Sequence, residues 1–196
     1  SGLQYKRNNL MKKYSFGISL FLFSLGLVIS LFIIFWEPSN QFSECSGKSL
    51  AVNKSSIGGD FDLIDKNGNM VNSKDIIVEP TLLYFGYSFC PDICPYDLQR
   101  NAITVDILKE RNLEVTPVFI TIDPDRDTPS RIGEFAEFVH PKMIGLTGTK
   151  VQIENVMKKF KIYGKKASAA VSDDYLMDHS TFTYLVHPNL GFLEYF

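Results

Sequence analysis

Cys90 and Cys94 stand in the run Ser88-Phe89-Cys90-Pro91-Asp92-Ile93-Cys94-Pro95. Three residues separate the thiols, one more than in a thioredoxin-type redox motif. The apolar run 81–87 before them predicts a buried strand. Pro95 suits the first turn of a helix. The pair is therefore expected in a strand-to-helix loop, at a helix N-terminus. The partial positive charge there stabilises thiolate, the form that both attacks and binds metal. Two chemistries follow, thiol–disulfide exchange and metal ligation. The bland alternative is a structural disulfide or an inert buried thiol pair.

Two thiolates leave a metal site incomplete, and histidine is the natural third donor. His140 closes a helix before Pro141, and His187 sits in the Pro188-Asn189 turn. His179 differs: it follows the acidic stretch Asp173-Asp174-Tyr175-Leu176-Met177-Asp178 and leads into a strand. Asp178 is placed to orient or charge-balance its imidazole. Two soft thiolates and an imidazole suit Cu(I), and the same set holds Cu(II). The expected stoichiometry is one copper per chain. Structural zinc normally takes four protein ligands, and no fourth is evident. Cys45 lies apart, in a polar tether.

The elements that must position these groups are legible from pattern. Residues 61–65 alternate as a strand, and Asn67-Gly68 signals a hairpin turn. Residues 65–76 imitate a calcium loop but fail, with Met70 at the Gly position and Ile76 at the Glu position. Leu98, Ala102, Val105 and Leu108 recur at helical spacing after Pro95. Residues 116–123 read as a second buried strand. Thr128-Pro129 reads as an N-cap and first helical residue, with the helix ending near Val139. A short strand is expected at 143–146 and a third helix at 150–160, with Val151, Val156 and Phe160 among its apolar positions. Strands at 162–171, 180–186 and 191–196 complete the order. Alternating strands and helices imply an α/β fold with a parallel centre and helices on both faces, and the last strands add an antiparallel part. Asp123 and Asp125 follow a strand end and are expected near the cysteine loop. The plain reading of residues 123–129 is a turn and a helix cap.

Charge divides the chain into two kinds of polypeptide. Residues 1–36 hold Lys6, Arg7, Lys12 and Lys13 and no acid, whereas residues 37–196 hold 16 basic and 22 acidic residues. Balanced charge gives no support to nucleic-acid binding. Residues 14–36 carry no charge and as a helix would span roughly 34 Å, enough for a bilayer core. No small-x-small cleavage site follows Trp36, so an uncleaved N-terminal transmembrane helix is expected, with the basic end in the cytoplasm. The organisation is then a basic N-terminus at 1–13 (residues 1–10 read as an extension before a start at Met11), an anchor in the lipid bilayer at 14–36, a linker at 37–57 and a folded domain at 58–196. A bacterial inner membrane with a periplasmic domain is the first reading of location. The mitochondrial inner membrane, facing the intermembrane space, is the second.

The runs Gly86–Pro95, Asp123–Pro129 and Asp174–Ser180, in that order and spacing after an anchor, resemble the Sco/SenC proteins. The likeness covers roughly residues 55–196, with Ser88 where Thr is commoner. It implies a thioredoxin-like sandwich with a mixed central sheet and an added β-hairpin. It implies a copper chaperone with Cys90, Cys94 and His179 as ligands, serving the dinuclear copper A site of cytochrome c oxidase subunit II. It also implies a thiol–disulfide role for Cys90 and Cys94, and dealings with other copper-handling or thiol-redox proteins. Family members usually continue into a C-terminal helix; the sequence stops at Phe196, and either a truncation or an uncovered sheet face is expected there. Phe192, Leu193 and Phe196 are accordingly expected to be partly exposed.

The competing reading is a metal-free thiol–disulfide oxidoreductase with the same two cysteines as its redox pair. Only the copper reading needs His179. Thioredoxin-type enzymes place a cis-proline beside their cysteines, and here His179 stands where that proline would be. A peroxidase of related fold is a third reading, disfavoured by the lack of a Thr-x-x-Cys context.

Overall fold

The computed structural model describes residues 23–30, 32, 57–167 and 175–196. The chain divides into two compact units, Ser1–Leu50 and Ala51–Phe196. In the first, residues 23–30 and 32 are helical. Among the described residues no helix is long and apolar enough to cross a membrane. The rest of the expected 14–36 span, the basic N-terminus at 1–13 and the tether with Cys45 lie outside the described residues.

The second unit is built on the strand and helix periods read above. β1 (Asp62–Ile64) and β2 (Met70–Asn72) form an antiparallel hairpin. Its turn holds Gly68 at φ +83°, and the Asp65 carboxylate accepts the backbone N–H groups of Asn67 and Asn69. Glycine adopts that backbone region without a Cβ clash. A short helix, α1 (Ser73–Ile76), follows. Then come β3 (Thr81–Gly86), α2 (Ile93–Glu110), β4 (Thr116–Thr121), α3 (Pro129–Val139), β5 (Ile144–Leu146) and α4 (Lys150–Phe160). The chain ends in β6 (Gly164–Lys166), β7 (Met177–His179), β8 (Thr183–His187) and β9 (Gly191–Tyr195). Thr128 caps α3 through the Arg131 N–H, and Thr149 with Gln152 forms a capping box on α4.

The central sheet has five strands in the order β5-β4-β3-β8-β9. β3, β4 and β5 are parallel, whereas β8 and β9 run antiparallel. Side chains alternate across β3, which fixes the layers. Phe85 packs on Phe160 of α4 (ring centroids 5.4 Å), and Tyr184 of β8 packs on the same ring at 5.7 Å. On the opposite face, Leu82 meets Val105 of α2, and Tyr84 stacks on Phe119, which touches Phe135 of α3. So α4 covers one face and α2 with α3 the other. Both central strands are buried throughout, as their uninterrupted apolar runs require.

Three expectations need correction. Val151 is exposed, and α4 buries Ile153, Val156 and Phe160 instead. The strands expected at 162–171 and 180–186 are divided differently. β6 and β7 pair as a separate two-stranded ribbon, and β8 begins only at Thr183. Residues 168–171 lie outside the described residues. Of the residues expected to be partly exposed at the C-terminus, Phe192 is buried against Tyr184, whereas Leu193 is half-buried and Phe196 exposed.

Candidate metal centre

Topology explains why residues far apart in sequence meet. The C-terminal ends of parallel β3 and β4 lie at one edge of the sheet, and the loops that follow them lie beside each other. β8 runs antiparallel to β3, with Thr183 opposite Tyr84. Its N-terminal end therefore reaches the same edge and brings the preceding β7 with it. Asn101 of α2 secures that point, donating from Nδ2 to Thr183 Oγ1 at 2.9 Å.

The three predicted ligands converge there. The sulfurs of Cys90 and Cys94 and a ring nitrogen of His179 all lie within 4.8 Å of one another. Cys94 Sγ and His179 Nε2 are 3.3 Å apart across 85 residues of sequence. Both cysteines are thiols; Cys94 is buried and Cys90 half-buried. Asp92 at the N-cap of α2 makes no side-chain capping bond. The first-turn N–H of Cys94 instead donates to Cys90 Sγ at 3.4 Å. Among the described residues no fourth cysteine, histidine or carboxylate joins the group.

The imidazole is held in a defined tautomer. Nδ1 lies 2.8 Å from the carbonyl oxygen of Ser180, so it carries the proton and donates. Nε2 is then the lone-pair nitrogen, aimed at Cys94 and suited to a metal. The edges of two aromatic rings fix the ring plane: Tyr87 at 5.8 Å and Tyr84 at 6.5 Å, both nearly perpendicular to it. Burial holds the His179 pKa below its ordinary value, which keeps the ring neutral. Two expectations change here. The Ser180 carbonyl, rather than Asp178, orients the ring, and Asp178 is exposed. His179 ends a strand rather than leading into one.

Burial acts on Cys94 in the opposite sense. It pushes the thiol pKa up, with a smaller raising contribution from the neighbouring Cys90. The helix N-terminus predicted stabilised thiolate; at Cys94 burial acts in the opposite direction. Ligation of a metal by Cys94 requires loss of that thiol proton.

Of the residues that support the site, sequence reasoning singled out Asp123 and passed over Asp127, Tyr84 and Asp97. Asp127 is fully buried and organises the cysteine loop. Its carboxylate accepts Ser88 N–H at 3.0 Å, the Ser88 hydroxyl, and Thr121 Oγ1 at 2.6 Å. Asp123 accepts Arg126 Nε and the Tyr175 hydroxyl, each at 2.6 Å. Asp125 does not reach the cysteine loop; it pairs with Lys150 at 2.9 Å and Lys166 at 3.6 Å. Below the site, Tyr84 donates to the buried Asp97 at 3.0 Å, and Arg100 neutralises that carboxylate at 3.2 Å. Strand periodicity accounts for Tyr84 and Tyr87 as core residues and carries no sign of these roles.

A mixed five-stranded sheet with helices on both faces, and a thiol pair at the N-terminus of the helix after β3, defines a thioredoxin-like α/β protein. The SCO1/SenC family matches residues 51–196, and this chain belongs to that family. Protein SenC of Rhodobacter capsulatus is 46% identical over 166 residues, covering 82% of this chain and 72% of that protein. The mitochondrial SCO1 homolog 1 of Arabidopsis thaliana is 39% identical over 161 residues, covering 82% of this chain and 48% of the relative. The crystal structure of Arabidopsis thaliana ScoI with copper bound superposes with a TM-score of 0.66 at 40% identity, covering 71% of this chain and 87% of that one.

Proposed function

We propose that this chain is a membrane-anchored copper chaperone that delivers copper to the copper A site of cytochrome c oxidase subunit II. The observation that carries the reading is the open three-donor set of Cys90, Cys94 and His179. Two thiolates and a neutral imidazole match a soft ion such as Cu(I), and the same donors accept Cu(II). A closed four-ligand cage would retain its metal. A three-donor site with a half-buried Cys90 leaves room for a recipient's thiol to enter as copper departs. The copper-bound Arabidopsis relative supports the cargo. The uncharged run 14–36 supports an anchor, with the domain at 58–196 on the far side of a bacterial inner membrane. The mitochondrial relative keeps the corresponding organelle membrane as the alternative.

The free thiols favour one second reading, reduction of the recipient's disulfide. In that step two electrons pass from the Cys90/Cys94 dithiol to the partner's disulfide. The partner becomes a dithiol, and Cys90–Cys94 becomes a disulfide.

Copper titration of the purified chain separates the two. About one copper per chain is expected, with binding lost in Cys90→Ser and Cys94→Ser and weakened about 10- to 100-fold or more in His179→Ala. Equal binding by wild type and His179→Ala would remove the histidine from the ligand set. No binding, with retained disulfide reductase activity, would establish the second reading instead.

A further inference from the structure

The two segments that carry the candidate ligands belong to different sheets. Cys90 and Cys94 follow β3 of the central sheet, and His179 ends β7 of the separate ribbon. No strand pairing joins β7 to the central sheet; β8 carries it to the sheet edge, and side-chain contacts hold it against the cysteine loop. Arg126 lies where the two segments meet. Its guanidinium stacks on Tyr175 at 3.6 Å, just before β7, and on Phe89 at 4.6 Å, the residue before Cys90. It also lies 5.6 Å from the ring of Tyr87, whose hydroxyl accepts the Met177 N–H at 3.2 Å. Arg131 covers Phe89 at 4.7 Å. The buried Asp123 locks the assembly with its two oxygens, one on Arg126 Nε and one on the Tyr175 hydroxyl.

We propose that Arg126 is a positioning residue that clasps the cysteine loop to the histidine strand, so that Cys90, Cys94 and His179 are presented together. This rests on the copper reading above. A planar guanidinium is the side chain able to lie flat on aromatic rings and pair with a carboxylate at once. Removing it frees His179 to swing with its ribbon, leaving the thiols in place.

The test uses the full chain, reduced, in detergent, with Cu(I) competed against a chromophoric Cu(I) chelator. Arg126→Gln is expected to weaken binding about 10- to 100-fold. Tyr175→Leu, which leaves the Asp123–Arg126 ion pair standing, should weaken binding in the same direction. It keeps the test decisive if Arg126→Gln does not fold. Tyr175→Phe keeps the ring under the guanidinium and loses only the hydroxyl bond to Asp123, and should recover most of the binding lost in Tyr175→Leu. In a His179→Ala background, Arg126→Gln should add no further loss, because the clasp acts through that histidine. Wild-type binding by Tyr175→Leu, or a full additional loss in the His179→Ala background, would overturn the clasp and leave the copper reading intact. No copper on the wild-type chain would overturn both.

Discussion

At the scale of single residues, burial governs the chemistry. His179 and Cys94 are shifted in opposite directions by the same loss of water. The signs predict how the metal-free protein responds to pH. His179 has a folded pKa below its ordinary 6.5, so the unfolded chain binds more protons around and below that value. Its contribution is fully present above 6.5 and is lost as pH falls through the folded pKa. Cys94 has a folded pKa above its ordinary 9.0, so its contribution is fully present below 9.0 and is lost as pH rises through the folded value. Urea midpoints measured across pH on the reduced, metal-free chain should decline on both sides, and His179→Ala should flatten the acid side. Asp127 is the other residue with a calculable effect. Replacing it with Ala strands the Ser88 and Thr121 donors and should cost about 2–4 kcal/mol of unfolding free energy. Copper binding should weaken with it, since the loop it organises carries Cys90. A neutral result in denaturation would show that the loop is held by other contacts.

At the scale of elements, close packing sets the site's tolerances. A Cβ on Gly86, the last residue of β3, would lie 2.9 Å from Cys94 Sγ and 3.0 Å from the Phe119 ring. Gly86→Ala is therefore expected to displace the buried thiol and weaken copper binding by more than its effect on stability would suggest. Chelator competition alongside thermal melting checks this. Phe160 closes α4 against the sheet, touching Phe61, Phe85 and Tyr184. Phe160→Ala should cost about 3–5 kcal/mol, seen as an earlier denaturation midpoint. Its contacts lie on the face of the sheet opposite Tyr84 and α2. Copper affinity of the fraction that remains folded should change little.

At the scale of the whole molecule, the second unit contains every residue assigned to the site. A fragment covering 51–196 should bind copper with the affinity of the full chain, and Cys45→Ser should leave binding unchanged. A clear loss in either would bring the tether into the ligand set. The charge division has its own consequence. Residues 37–196, with 16 basic and 22 acidic residues, steer through their field, so copper transfer to a partner should slow or quicken with salt according to the partner's charge. Stopped-flow transfer at two ionic strengths reads the sign.

Local pattern in the sequence was enough for the helices and buried strands, because side-chain period and capping residues act over a few positions. α3 begins after the Thr128 cap and ends at Val139, and α4 spans the 150–160 that pattern gave it. The candidate donors were legible for the same reason: cysteine spacing and an exceptional histidine are properties of short segments. What brings His179 to within 3.3 Å of Cys94 is not local. It follows from β8 lying antiparallel beside β3, a choice made by packing both strands against Phe160 and Val105. The division of labour among Asp123, Asp125 and Asp127 was hidden as well, since the three share one loop and differ only in what long-range folding sets against them. At Cys94 burial opposes the thiolate effect expected at the helix N-terminus. A dipole acts within one turn and can be read from sequence, whereas desolvation depends on how many atoms the rest of the chain packs around the sulfur.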